Sequence, residues 1–242
     1  MNVYMNNRKL FFMWMAFISM MVINTAHAQV ALQVRAGAGI SKLQGLSLME
    51  NRLSYKLGLA VDIPVSGHWA VQPALYFVQK GSDFKGYYGN EQIVPVTLDN
   101  RLSYFELPVY GAFKMDLSDE MQLTFKAGPY VAWGIVGKAH VSADNMNFHR
   151  TFVGELFTDG CDFDGLTTLN TKSGTTYVAG SDAYKNLDAG VAFGVDFRYQ
   201  HFLVGVDGSW GLLPVTDGLF DNVALKGDLT NLAFHLTLGY QF

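Results

Sequence analysis

The residues best suited to chemistry gather in one stretch of the chain. Glu155, Asp159, Asp162 and Asp164 place four carboxylates around Cys161, an oxygen-donor set of the kind that holds Ca²⁺ on a flexible loop, although the spacing departs from the EF-hand pattern. The plainer reading is a solvated acidic loop. His140, Asp144 and His149 could supply a His–Asp pair for hydrolysis at a membrane rim, but no H-E-x-x-H, G-x-S-x-G, Walker A loop or paired-cysteine spacing accompanies them. Cys161 is the single cysteine, so no internal disulfide forms, and no signature of a thiol nucleophile surrounds it. His68 and His201 fall in or beside turns, and His235 reads as a hydrogen-bonding interior group rather than a catalyst. No catalytic, cofactor-binding or metal-binding residue is assigned, and no cofactor is implied.

The elements that would position such groups must be built from 242 residues that are 50% hydrophobic, 14% aromatic and 16% charged, with 25 Gly. Soluble domains average about 25% charged, so the low charge excludes disorder, and the Gly and aromatic content favours sheet over helix. With 17 Lys plus Arg against 21 Asp plus Glu, no basic excess collects phosphates, and nucleic acid is excluded as a partner.

Residues 1–28 read as an address. Arg8 and Lys9 precede the apolar run Leu10–Ile23, which is too short to span a bilayer as a helix. Ala26-His27-Ala28 completes a secretory signal with cleavage expected between Ala28 and Gln29. A membrane anchor is disfavoured because the run ends in Asn24 and Thr25. A lipid anchor would need a cysteine at the cut. Removing Arg8 and Lys9 lowers the 17 bases to 15 and leaves the 21 acids, so the exported chain is acidic, with 29–242 as one domain.

From Val30 onward strict alternation recurs and no helical period is sustained, which is the signal of half-buried strands. In the last run Leu232, Phe234, Leu236, Leu238, Tyr240 and Phe242 alternate with Asn231, Ala233, His235, Thr237, Gly239 and Gln241. Lys185–Tyr199 and Phe202–Trp210 repeat the pattern, and Val30–Ser41, Leu53–Ile63, His68–Gly81, Arg101–Lys114 and Met121–Gly137 follow it with more noise. Pro73, Pro108 and Pro129 predict a kink or a break inside three of these eight strands. Short connections (Pro64–Gly67, Met115–Glu120, Gln200–His201) alternate with long ones (Lys42–Arg52, Ser82–Asn100, Lys138–Tyr184, Leu212–Thr230). The expected fold is an all-β, eight-stranded antiparallel up-and-down transmembrane barrel with short periplasmic turns and long extracellular loops.

A soluble lipocalin-like barrel would share the alternation with its apolar face inward. Four features put the apolar face outward: small residues on the polar face, strands of membrane-spanning length, an aromatic terminal strand end, and aromatics at both ends of the apolar face. The aromatics are Trp69, Phe113, Tyr199, Phe202, Tyr240 and Phe242 at the short-turn end and Tyr55, Phe77, Trp133 and Trp210 at the other. The inward face then holds Arg35, Lys56, Lys80, Lys114, Lys126 and Arg198 against Asp62, Glu106, Asp188, Asp196 and Asp207, with His235 and Tyr130 between. A barrel of eight strands is only wide enough for its own side chains, and buried charges are tolerated when paired. A lumen plugged by ion pairs is therefore expected, with a narrow ion path as the alternative.

Several segments resemble the PorT-like outer-membrane β-barrel family of Bacteroidota. They are Gln72–Gly81, Tyr104-Phe105-Glu106-Leu107-Pro108, Ala127-Gly128-Pro129-Tyr130, Asp188-Ala189-Gly190 and Leu238-Gly239-Tyr240-Gln241-Phe242. The resemblance implies an outer-membrane location in a Gram-negative cell. It also implies that Tyr240 and Phe242 form the signal read by the barrel assembly machinery. The family implies no single activity, since a role in protein secretion belongs to some members only. Three function classes stay open: a non-enzymatic barrel set in outer-membrane lipid whose loops bind a protein or glycan, a secretion accessory, and an outer-membrane enzyme. Loop aromatics Tyr87, Tyr88, Phe148, Phe152, Phe157 and Phe163 favour the first.

Overall fold

Hydrocarbon offers backbone groups no partner, so strands with one wholly apolar face persist in a membrane only where the sheet closes on itself. A computed structural model, describing residues 30–45, 49–88, 94–143, 169–171, 174–176, 185–215 and 229–242, shows that closure. The strands are β1 (Ala31–Gln44), β2 (Arg52–Ser66), β3 (Trp69–Tyr88), β4 (Val94–Asp116), β5 (Met121–Ala143), β6 (Leu187–Tyr199), β7 (Phe202–Gly211) and β8 (Thr230–Gln241). Each pairs antiparallel with its neighbours in sequence, and β1 pairs with β8 in a ladder from Gln33↔Gln241 to Gln44↔Thr230. Outside the ring, Met49–Glu50 pairs with Phe84 and Asp83 on β3, and Leu169–Thr171 pairs with Gly174–Thr176.

The periplasmic connections are tight. Gly67 sits at φ 52° between β2 and β3, a left-handed conformation that glycine takes without strain. Gln200 occupies the same region without that freedom. Its N–H donates to the Glu120 carbonyl and its own carbonyl accepts from Arg198, both at 2.8 Å.

The three prolines produce breaks rather than bulges. The ladder opens where Val61–Asp62 faces Gln72–Pro73, where Ala74–Leu75 faces Leu107–Pro108 and where Val109–Tyr110 faces Gly128–Pro129, then resumes in unchanged register. Proline has no N–H to donate, so pairing fails locally without adding a residue to either strand. The register shifts lie elsewhere, at Pro64/Ser66 and Ser103/Tyr104.

Alternation decides the sidedness. Leu236, Leu238 and Trp133 are about three-fifths exposed on the outer wall, whereas Arg35, Lys80 and Asp196 are 2% exposed or less inside. Such a continuous apolar exterior is incompatible with a water-soluble monomer, which removes the lipocalin-like arrangement. Aromatic contacts mark both rims of the band, with Trp69 edge-on to Phe113 at 5.2 Å and Phe77 edge-on to Phe105 at 6.2 Å.

Two expected loops are corrected. β3 and β4 do not end at Gly81 and Arg101, because their ladder continues to Tyr88↔Val94, leaving only 89–93 between them. Likewise β5 runs past Gly137 to Ala143, into the stretch read as a loop from Lys138 to Tyr184. Beyond the hydrocarbon both faces of a strand meet water, so the period-two signal disappears from the sequence while the backbone pairing persists.

Candidate functional site: the charged lumen

Period two fixes which residues of each strand enter the lumen, and the stagger between strands fixes which of them meet. Toward the periplasmic half, β1 supplies Arg35, β6 Asp196, β5 Lys126, β7 Asp207 and β2 Lys56. The Arg35 guanidinium grips Asp196 with two parallel bonds of 2.8 and 2.6 Å, the bidentate geometry that makes such pairs strong. Lys126 lies between two carboxylates, 2.9 Å from Asp196 and 2.8 Å from Asp207, and Lys56 reaches Asp207 at 3.0 Å. Gly194 makes room for this meeting, since a Cβ there would come within 2.8 Å of the Lys126 side chain.

Nearer the extracellular end, Lys80 of β3 stands 2.6 Å from Glu106 of β4 and 3.2 Å from Asp188 of β6. Asp188 also accepts from the Tyr130 hydroxyl at 3.2 Å and the Asn231 amide at 3.0 Å. Four bases (Arg35, Lys56, Lys80, Lys126) thus meet four acids (Glu106, Asp188, Asp196, Asp207), every one buried. Tyrosine rings cover the ammonium groups, Tyr76 at 4.1 Å from Lys56, Tyr130 at 4.6 Å from Lys80 and Tyr110 at 5.1 Å from Lys126. A cation over a ring face gains from the ring quadrupole, most where water is excluded.

Asp62 and Arg198 stand apart from this centre. Asp62 pairs with Lys114 near the periplasmic end and accepts from Gln72 at 3.0 Å. Arg198 is exposed enough to serve the Gln200 turn and makes no ion pair among the described residues, so it does not join the charge network expected of it. The reason is depth: it lies beside the β6–β7 turn, where its Nη1 donates to the Gln200 carbonyl instead of reaching the carboxylates of the centre. At the same rim Tyr240 packs edge-on against Phe242 at 4.9 Å and against Phe202 at 5.5 Å. The Phe242 N–H donates to the Leu32 carbonyl at 2.9 Å, tying the chain end to β1.

Sequence reasoning missed two features of the lumen. Tyr76, Tyr104 and Tyr110 are inward, a placement their parity with Lys80 and Glu106 could have shown. His235 and Ser54 meet at 2.7 Å across Gly39, where no side chain separates them. Ser54 is wholly buried and also donates to the Gln79 carbonyl, so the pair is a cross-strand hydrogen bond with no room for a substrate. Glu155, Asp159, Cys161, Asp162, Asp164, Asp144, His149, Phe148, Phe152, Phe157 and Phe163 lie outside the described residues, as do residues 1–29, including Ala28 and Gln29. His140, Tyr87 and Tyr88 are described as strand backbone only.

The profile of the family described as outer membrane protein beta-barrel domain matches residues 24–217. No curated protein matches the sequence. Among solved structures the chain is similar to Ail, the attachment invasion locus protein of Yersinia pestis, in its complex with the heparin analogue sucrose octasulfate. That match has 13% identity, covers 88% of this chain and 99% of that one, and has a TM-score of 0.37. It is also similar to Neisserial surface protein A, with 10% identity, 88% and 99% covered and a TM-score of 0.40. The outer membrane protein OprG from Pseudomonas aeruginosa is similar at 11% identity, with 90% and 98% covered and a TM-score of 0.43.

Proposed function

Because the chain belongs to the outer membrane protein beta-barrel domain family and lies in the outer membrane, we propose that it is a non-catalytic surface barrel. In this reading its lumen is closed and its extracellular face binds a protein or glycan partner. The observation that carries the reading is an asymmetry of strand length. β3, β4 and β5 have 20, 23 and 23 residues, whereas the other five have 10 to 15. Five strands are long enough to cross the bilayer and stop; three adjacent strands continue into the medium as a sheet. Segments held on a rigid scaffold above a membrane are where binding residues concentrate.

The balanced ion pairs favour a plug over a pore, since an ion entering the lumen would have to break pairs that have no water to replace them. We further propose the PorT-like branch of the family, signal cleavage between Ala28 and Gln29, and recognition of Tyr240 and Phe242 by the barrel assembly machinery. The first test trims residues 86–96 to a two-residue turn in a barrel that still shows heat-modifiable gel mobility. Cross-linking on intact cells is expected to lose a partner seen with the full barrel; an unchanged set of cross-linked partners counts against the reading. The PorT-like motif Tyr104–Pro108 favours a second role as a secretion accessory, which fails if deletion of the gene leaves cargo secretion intact.

A further inference from the structure

We propose that the outer wall at Arg101 and Lys138 is a binding site for the phosphate of an outer-leaflet glycolipid headgroup, with the acyl chains laid against Phe105, Leu107, Val131 and Trp133. Arg101 on β4 and Lys138 on β5 are directly opposed in the ladder, and both are exposed. Like charges facing each other across an antiparallel pair repel, so the arrangement calls for an anion between them.

The surrounding carboxylates Asp83 and Asp99 match Arg52 and Arg101 in number and leave Lys138 as the excess base. Asp99 accepts from Arg101 at 2.9 Å, but it also pairs with Arg52, which holds Asp83 at 2.8 Å as well. Lys138 has no ion-pair partner among the described residues.

Depth along the wall supports a lipid source. Arg101 lies four residues beyond Phe105, which is paired with Trp133 in the extracellular aromatic belt. At about 3.3 Å per residue and a tilt of about 45°, the two bases stand roughly 9 Å above the belt, at headgroup level. Below Phe105 and Trp133 the same two strands present Leu107 and Val131 outward, about half exposed, a surface suited to acyl chains. The other end of this hairpin has the opposite sign, with Asp116, Asp119 and Glu120 exposed at the periplasmic turn. One hairpin is thus basic where the outer leaflet carries phosphates and acidic where it meets the periplasm.

The test uses the full barrel refolded in zwitterionic detergent, with R101Q, K138Q and R101Q/K138Q. Gel mobility with and without boiling verifies that each is folded, and native mass spectrometry counts bound lipid A against dephosphorylated lipid A. A basic residue near a charged lipid surface contributes about fivefold in affinity, so each single change is expected to weaken lipid A binding about fivefold and the double change about 25-fold. Binding by R101Q/K138Q within twofold of the parent would overturn the proposal, as would equal retention of dephosphorylated lipid A. Displacement of lipid A by an equal concentration of inorganic pyrophosphate would overturn its assignment to a lipid.

Discussion

Asp196 is where the lumen network is most exposed to a single change. Replacement by Asn keeps the shape and removes one charge, leaving Arg35, Lys56 and Lys126 gathered around Asp207 alone. In the parent, Asp196 holds Arg35 by two bonds and Lys126 at 2.9 Å, with all three groups about 2% exposed or less. Removing one partner of a buried pair costs about 3–5 kcal/mol, because the charge left behind has neither water nor counter-ion. The assay is urea unfolding of the refolded barrel, followed by Trp fluorescence and by the loss of heat-modifiable mobility. With an m-value of about 3 kcal/mol per M, a loss of about 4 kcal/mol lowers the midpoint by roughly 1.3 M. Restoring the balance by removing Lys126 as well, in D196N/K126M, should recover about 1–3 kcal/mol, since paired residues in contact couple non-additively. A D196N midpoint within 0.3 M of the parent, or a double variant as unstable as the sum of the two singles, would refute the view that charge balance governs the interior.

Val206 faces lipid at mid-strand, opposite Leu236 and Val195 and about half exposed; V206R should cost about 2–4 kcal/mol in the same assay, against little effect for M121R at the rim. Gly39→Val places a Cβ 2.7 Å from the His235 Cα and from the Phe234 carbonyl carbon, so the β1–β8 closure should fail and heat-modifiable protein should be absent. Phe242→Asn is expected to reduce assembled barrel in the outer membrane while total synthesis is unchanged; undiminished assembly would remove Phe242 from the recognition signal. In planar bilayers the parent should show no steady single-channel conductance, and steady channels from the pure protein would mean that the ion pairs leave a path.

What was legible in the sequence was the parity of each strand, and what was not was depth. β8 could be read residue by residue, because its apolar and polar sets separate cleanly from Asn231 to Phe242. The same parity puts Arg198 and Asp196 on one face, yet they lie two residues apart in depth, and only Asp196 reaches the ion-pair centre. Pairings such as Lys56 with Asp207 join β2 to β7; they depend on the barrel's stagger, which no local pattern encodes. The extensions of β3 to Tyr88 and of β4 back to Val94 were hidden for another reason. Residues such as Asp83, Gly86, Asp99 and Asn100 look like loop residues, because in water neither face of the sheet has to be apolar.

The buried charges bear on register more than on net stability. Ion pairs taken out of water gain little over apolar packing of equal volume, so eight charged groups in a narrow lumen need another physical reason. Side chains alternate with a period of two, so a one-residue slip of any strand turns its inward set toward lipid. A slipped β2, β3 or β5 would present Lys56, Lys80 or Lys126 to hydrocarbon at about 2–4 kcal/mol each near the midplane, and would strip a partner from Asp207, Glu106 or Asp196. Leucines in those places would meet lipid without penalty after the same slip. The charged lumen therefore penalises wrong pairings that an apolar interior would tolerate, which matters in a fold where β1 must find β8 from the far end of the chain.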